Sequence, residues 1–388
     1  MNGNKPIIHF LSASDRLNYG DLLFPIIFKK VIEKNGLEVD FYNYGLVKSD
    51  LSHFGALPTL SYSQLIKNIK KYNGNLIIGG GEVFFPNWVL LFSYVNSTYN
   101  CFFRFNTFKK LENKYNFFRR FVFRHKNKYP FCHKRLNNEK IIYNAVGGSF
   151  NNYVARDDKS QLINNLKSAD YISVRENDSA HDLGQFGINV SVSPDSALLM
   201  SDFFSKEFLL KRFSKPNLII SKRYIFLQFG LNKQPELEST FFEELNIYCS
   251  KNELEIILCP IGLAEKHEDD KVLKEIEKKY NYTYHKPEDI YEIMCLIANA
   301  EVYMGTSLHG LITAQSYNRK FIPLNDSVSK LNRYCETWFG SYNILKAFNY
   351  DDWGKIEKQL FNWDNKNEEK LKNYKNLIYK NFEKIFIE

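Results

Sequence analysis

The sequence predicts an α/β protein made of two Rossmann-like domains in tandem, with a C-terminal helix packing back across them. Three observations predict it. Short apolar runs alternate with helical segments from one end of the chain to the other. Several of these runs end directly in glycine or small polar residues, the pattern of strands turning into helices in doubly wound sheets. The alternation also pauses between about residues 201 and 222 and then starts again, which gives two successive βα arrays. A chain of 388 residues is too long for one ordinary core and fits this division.

The first array opens with an apolar strand at 7–11, a polar loop at 15–21 and a helix at 22–34. A second strand at 39–44 and a short helix at 63–71 follow, then a strand at 75–78 that runs into Gly79-Gly80-Gly81-Glu82. Beyond a basic insert, residues 140–146 form a strand ending in Gly147-Gly148-Ser149. Strands at 171–174 and 190–192 precede Arg175-Glu176 and Pro194-Asp195. The second array has strands at 224–229, 254–259, 282–285, 301–304 and 320–324, and helices at 235–250, 266–279, 287–298 and 311–317. Leu371, Leu377, Ile378, Phe382 and Ile385 then recur at helical spacing with lysines between them. The expected domains are 1–200, with the insert at about 101–135, then 222–345, then a helical extension at 346–388.

Hydrophobic and charged contents of 44% and 25% are globular values. The six cysteines are scattered without a CxxC pair, which reads as reduced thiols rather than a disulfide framework. Residues 1–20 hold no basic-then-apolar leader, and no apolar run approaches a membrane span, so a soluble cytosolic protein is expected. The net charge of +8 is uneven. Residues 101–135 carry eleven Lys or Arg against the single acid Glu112, leaving the rest of the chain mildly acidic. Within that insert Phe108, Leu111, Tyr115, Phe118 and Val122 recur at three- and four-residue steps, beside Lys109, Lys110, Arg119, Arg120 and Arg124. An aromatic and basic amphipathic helix suits an anionic membrane surface, with Phe108, Lys110, Phe118, Arg119 and Arg120 as the contacts. A helical hairpin packed on the domain explains the same spacing. Nucleic-acid binding fits less well, because the α/β body holds no nucleic-acid module.

The chemistry-bearing residues cluster at strand ends. Thr306 and Ser307 follow a buried strand and can cap the next helix, whose first-turn amides make an anion site. His309 sits in that first turn, either as an active-site imidazole or as a local packing group. Asn18-Tyr19-Gly20-Asp21 is a capped turn or an acceptor contact through Asn18 and Asp21. Gly80 and Gly81 let backbone amides approach a ligand, and Glu82 stands at the loop tip as a candidate acid or base. Gly79-Gly80-Gly81 lacks both the dinucleotide and the Walker spacing. Arg175 can grip a carboxylate or phosphate, or pair locally with Glu176 or Asp178. Asp195 is a possible base or interdomain contact, and Lys222-Arg223 opens the second domain. No spacing of Cys, His or acids indicates a metal site.

In chain order, Asn18-x-Gly20-Asp21, Gly79-Gly80-Gly81-Glu82, Ser173-x-Arg175-Glu176, Pro194-Asp195 and Leu308-His309-Gly310-x-Ile312-x-Ala314 resemble the polysaccharide pyruvyl transferase family. The resemblance implies a GT-B-like pair of domains, with the acceptor on the first and the donor on the second. It implies transfer of a pyruvyl group from phosphoenolpyruvate, as co-substrate and without a cofactor, onto two sugar hydroxyls as a ketal. A 4,6-ketal on a hexose such as galactose, in a bacterial capsule or exopolysaccharide, is the expected product. Many members carry arginine directly before the Leu-His pair; this chain has Ser307. Arg175, Lys222, Arg223 or the helix amides around Thr306 and Ser307 are then expected to hold the donor.

In this scheme His309 is the general acid and contacts the leaving phosphate, Glu82 or Asp195 is the base, and Arg175 is the clamp. The expected acceptor is a polyprenyl-diphosphate-linked oligosaccharide at the inner face of the plasma membrane. Two competing readings are a GT-B glycosyltransferase using a nucleotide sugar, for which Glu336 is the only ribose-reading acid in view, and a non-catalytic member of a polysaccharide assembly complex.

Overall fold

The computed structural model describes residues 5–84, 86–95, 129–148, 156–220, 222–264, 269–363 and 367–387. The first sheet contains β1 (Ile7–Leu11), β2 (Asp40–Tyr44), β3 (Asn75–Gly79), β4 (Ile141–Val146), β5 (Tyr171–Val174) and β6 (Ser191–Val192), in the order β2-β1-β3-β4-β5-β6. The second contains β7 (Tyr224–Gln228), β8 (Glu255–Leu258), β9 (Thr283–Tyr284), β10 (Val302–Gly305) and β11 (Lys320–Pro323), in the order β11-β10-β7-β8-β9. Every strand pairing is parallel. Strands covered on both faces must be apolar throughout, which is why β4, β7 and β10 are buried along their full length.

Strand order reverses once in each sheet. In the first, the chain moves from β1 outward to β2 and then returns past β1 to β3. In the second, β7 leads outward to β8 and β9, and the chain then returns past β7 to β10. Ligand crevices in open α/β sheets form outside the carboxyl ends of strands at such reversals. The loops at these ends are 12–18 and 80–84 in the first domain and 229–233 and 306–307 in the second.

The helices that matter for the crevice are α1 (Tyr19–Lys34), α2 (Tyr62–Lys71), α3 (Thr240–Asn252), α4 (Asp269–Tyr280), α5 (Ile290–Asn299), α6 (Leu308–Ser316), α7 (Ser329–Trp338) and α8 (Asn367–Ile387). Helix α1 starts at Tyr19 rather than residue 22, because Asn18 is extended and Gly20 and Asp21 already belong to the first turn. Likewise α6 starts at Leu308, capped by the Ser307 hydroxyl, which accepts from Gly310 N at 3.3 Å. Helix α3 starts later than expected, at Thr240, with Pro235 left outside it.

The stretch between the sheets is not a bare linker. It forms short helices at Met200–Phe203, Lys206–Arg212 and Asn217–Ile220, and Leu209, Phe213 and Ile219 of this stretch are buried in the same core as α5. The C-terminal helix packs back across the domains as expected. Phe382 of α8 packs at a tilt against Phe28 of α1 (5.4 Å between centroids), Asn381 bonds Tyr171 and Asn144 of the first sheet, and Tyr374 Oη donates to Trp338 O of α7 at 2.7 Å. Cys132, Cys249, Cys259, Cys295 and Cys335 are buried and are not joined to one another by disulfides, and Cys101 lies outside the described residues. Among the described residues no helix is long and apolar enough to cross a membrane.

Candidate functional site

A cleft of about 530 Å³ lies between the two strand-order reversals. Its floor is made where the domains touch. The first turn of α1 meets α6, with Tyr19 Oη and Thr313 Oγ1 2.9 Å apart. Residues 17–19 also run antiparallel to 261–263, with Leu263 N donating to Leu17 O at 3.0 Å and Asn18 bridged to Gly262. The N-termini of α1 and α6 therefore open into the same space, which favours negative charge there.

His309 is the second residue of α6 and lies 9% exposed on the cleft wall. Its ring packs over Gly20 and edge-on to Phe24 at 5.4 Å. Its Nε2 is buried 3.7 Å from Asp195 Oδ2, with no hydrogen-bond partner among the described residues. Asp195 itself is fully buried behind the ring. Its Oδ1 accepts from Ala197 N at 3.0 Å, and its Oδ2 accepts from Arg175 Nη1 at 3.1 Å. Desolvation pushes the Asp195 carboxyl up, but His309, Arg175 and the Ala197 amide more than offset this and hold it below the usual carboxylate range. Arg175 also donates from Nε to Glu176 Oε1 at 2.7 Å. The buried trio thus carries one cation between two carboxylates, and it braces the ring of His309 from behind.

Glu82 stands at the rim, its side chain 41% exposed and ion-paired with Arg333 of α7. Desolvation raises its carboxyl, yet Lys330, Arg175 and Arg333 outweigh that and hold it low. The chain reaches it through Gly80 and Gly81, at φ +62° and +76°, a backbone that L side chains rarely adopt. A β-carbon on Gly80 would also penetrate the ring of Phe24. Across the loop, Asp21 accepts from Asn18 Nδ2 at 2.9 Å. Desolvation pushes its carboxyl up, only partly countered by Arg16, His309 and Lys330. On the second-domain side Thr306 Oγ1 accepts from Gly230 N at 2.9 Å.

The structure therefore brings Asn18, Asp21, Gly81, Glu82, Arg175, Thr306, Ser307 and His309 to one cleft, with Gly80 and Asp195 directly behind its walls. Lys222 and Arg223 do not line it. They precede β7, at the opposite end of the strand, and pair with Glu255 and Glu301. Glu336 also lies off the cleft, 3.8 Å from Lys346. Phe108, Lys110, Phe118, Arg119 and Arg120 lie outside the described residues.

Four basic side chains that motif reading passed over line the cleft: Arg16, Lys233, Lys330 and Arg333. Arg16 pairs with Asp15, which is held by the amides of Leu46 and Val47. The available signal was position, since Arg16 and Lys233 follow strands that end at a reversal.

Comparison with known proteins gives a family and a fold. The family model for polysaccharide pyruvyl transferase matches residues 18–327, from the Asn18 turn to beyond β11. No curated protein matches the sequence. Among solved structures, a Listeria monocytogenes protein provisionally assigned as UDP-N-acetylglucosamine 2-epimerase is similar at 11% identity and TM-score 0.54, over 95% of this chain and 90% of that one. The UDP-GlcNAc 2-epimerase of Methanocaldococcus jannaschii is similar at 14% identity and TM-score 0.52, over 93% and 94%. That of Neisseria meningitidis is similar at 12% identity and TM-score 0.52, over 98% and 100%. Identities this low establish the shared GT-B-like architecture alone.

Proposed function

The chain belongs to the polysaccharide pyruvyl transferase family, and on that premise we propose that it transfers the pyruvyl group of phosphoenolpyruvate onto two hydroxyls of a sugar. The observation that carries the reading is His309, set by the first turn of α6 on the wall of a cleft between two helix N-termini, with its buried Nε2 directed at Asp195. Phosphoenolpyruvate needs three things from a protein: cations or amides for its carboxylate and phosphate, a proton for its methylene carbon, and an acceptor for hydroxyl protons.

In the proposed reaction His309, as imidazolium, protonates the methylene carbon, and positive character develops at the central carbon. A sugar hydroxyl adds there and gives up its proton. The bond from the central carbon to the phosphate oxygen breaks, so phosphate leaves with that oxygen, and the neighbouring hydroxyl closes the ketal. The products are inorganic phosphate and an acceptor heavier by pyruvate less one water. Asp195 acts as a positioning residue, because both of its oxygens are engaged behind the ring. Of the two first-domain carboxylates that line the cleft, Asp21 is the better base, since no cation forms an ion pair with it among the described residues and burial raises its carboxyl. Glu82, held ionised beside Arg333, is suited to accept a hydrogen bond from a sugar hydroxyl.

The proposed acceptor is an oligosaccharide on a polyprenyl diphosphate at the inner membrane face. The basic, aromatic composition of 101–135 supports delivery at an anionic surface. So does position, because Tyr94 and Phe131, on either side of residues 96–128, line the cleft. Thermal-shift titration separates this reading from a nucleotide-sugar enzyme. The wild type is expected to be stabilised by millimolar phosphoenolpyruvate and not by UDP or GDP sugars. Stabilisation by a nucleotide sugar alone would replace the proposal with a glycosyltransferase.

A further inference from the structure

Among the described residues three carboxyls line the cleft, and the proposed reaction uses Asp21 and Glu82 but leaves Asp269 without a role. Asp269 opens α4 and is only 3% exposed. Desolvation pushes its carboxyl up to about 6, and the bonds it accepts and the charge of Lys233 only partly offset that. Carboxylates buried at such a cost concentrate at functional sites.

The hydrogen bonds of Asp269 run in two directions. Toward the first domain, its Oδ2 accepts from Ile261 N at 3.2 Å and Gly262 N at 2.8 Å, and its own amide donates to Gly262 O at 3.1 Å. Gly262 is thus held at both its amide and its carbonyl. The strip it belongs to is the one that meets the first domain. Gly262 bridges to Asn18, Ile261 O accepts from Tyr19 N at 3.4 Å, and Leu263 N donates to Leu17 O. Asn18 in turn donates to Asp21. Toward α6, the same Oδ2 accepts from Gln228 Nε2 at 2.8 Å. Gln228 Oε1 lies 3.4 Å from the Tyr303 hydroxyl, which donates to Ser307 O at 3.1 Å. Gln228 O also accepts from Thr306 N at 3.2 Å. Ser307 is the N-cap of α6, and β-carbons on Gly305 or Gly310 would collide with the end of the Tyr303 side chain. Tyr303 is therefore wedged under the turn that carries His309. Gln228 and Tyr303 are buried, so these bonds form away from water, where they hold geometry best.

We propose that Asp269 is a positioning residue that fixes the two sides of the cleft against each other. Through Gln228 and Tyr303 it holds the first turn of α6, and through Ile261 and Gly262 it holds the Asn18–Asp21 turn of the first domain. The roles of His309 and Asp21 rest on the pyruvyl-transfer reading; the coupling of the two turns does not. Neither Asp269 nor Gln228 touches a reacting atom in this scheme.

Hydrogen exchange of the full chain and steady-state pyruvyl transfer, measured on Asp269→Ala, Asp269→Asn and Gln228→Met, test it. Lys355→Met, an exposed residue paired with Asp352, is the control. In Asp269→Ala the amides at 17–19, 261–263 and 308–311 are expected to exchange about 5- to 20-fold faster, the scale of one or two lost hydrogen bonds. Its kcat is expected to fall about 10- to 100-fold, with KM for phosphoenolpyruvate within about twofold of wild type. Asp269→Asn keeps a carbonyl oxygen for the three donors and is expected to recover most of both. Gln228→Met is expected to loosen 308–311 and lower kcat in the same way, and it carries the comparison should Asp269→Ala not fold. Exchange at 17–19 and 308–311 unchanged from wild type overturns the proposal. So does a raised KM at normal kcat, or Asp269→Asn as impaired as Asp269→Ala. Faster exchange at both turns in a protein whose wild type transfers no pyruvyl group leaves the coupling standing and the pyruvyl reading false.

Discussion

Gly20 is the position where one added methyl group tests the geometry of the whole cleft. A β-carbon there would overlap the His309 ring at Nδ1, Cγ and Cε1. To reach ordinary contact the ring must retreat by on the order of 1.5 Å. Phe24 and Asp195 stand on two of its sides, so the ring cannot move that far without changing its place against one of them. Alanine in the first turn of α1 gains at most about 1 kcal/mol of helix propensity, whereas overpacking costs about 1–3 kcal/mol. Gly20→Ala is therefore expected to lower stability modestly and to lower kcat by about 100-fold, the scale of a misplaced catalytic group. Pyruvyl transfer followed by phosphate release, with urea unfolding of the same preparations, measures both. Wild-type kcat in a normally folded variant would refute the role of the Gly20–His309 contact, and with it the idea that ring placement matters.

Further outcomes follow from the charges. Asp269 is buried, accepts from Gln228, Ile261 N and Gly262 N through one oxygen, and is pushed up to about 6 by desolvation. Its folded pKa lies above its unfolded value, so the folded state binds the extra proton, and stability from this group falls as pH rises from about 4 to 6, by about 3 kcal/mol. Asp269→Asn keeps the acceptor and removes the charge, so its stability relative to wild type is expected to be greater at pH 7.5 than at pH 4.5 in urea titrations. Phosphoenolpyruvate affinity is expected to be flat between about pH 7 and 8, where its phosphate is fully ionised, and to fall by up to about tenfold per pH unit above 8, as the cleft residue Lys233 loses its proton. Lys233→Arg is expected to abolish that fall. Replacing Lys110, Arg119 and Arg120 by Gln is expected to weaken binding to anionic vesicles by roughly 100-fold, at about 1 kcal/mol per charge, while sparing short soluble acceptors. Substitution is preferred to deleting 101–135 because Phe131 and Cys132 are fully buried. Equal loss on both acceptors would assign the segment a structural role.

The strands and their end loops were legible because parallel strands buried on both faces are written as continuous apolar runs, and because positive φ at Gly80 and Gly81 demands glycine. The convergence of Asn18, Glu82, Arg175 and His309 was legible for a related reason: each follows a strand, and the carboxyl ends of parallel strands share one edge of their sheet. Lys222 and Arg223 could have been set aside by the same rule, since they precede their strand. Pairing across the chain was not legible. Arg175 reads as a free clamp until Asp195, twenty residues on, is found against it, and Glu82 reads as a free base until Arg333 arrives from α7. Lys233 and Lys330 sit in no motif, and only the fold brings them to the cleft.

The most direct test of the central claim uses a galactose-terminated polyprenyl-diphosphate oligosaccharide, phosphoenolpyruvate and the purified protein. Phosphate release and acceptor mass are followed together for the wild type and for His309→Gln. The account predicts one phosphate per acceptor that gains pyruvate less water, with the rate reduced by about 100- to 10,000-fold in the variant. A glycosylated product formed from a UDP sugar without any pyruvyl adduct, or wild-type transfer by His309→Gln, would contradict it.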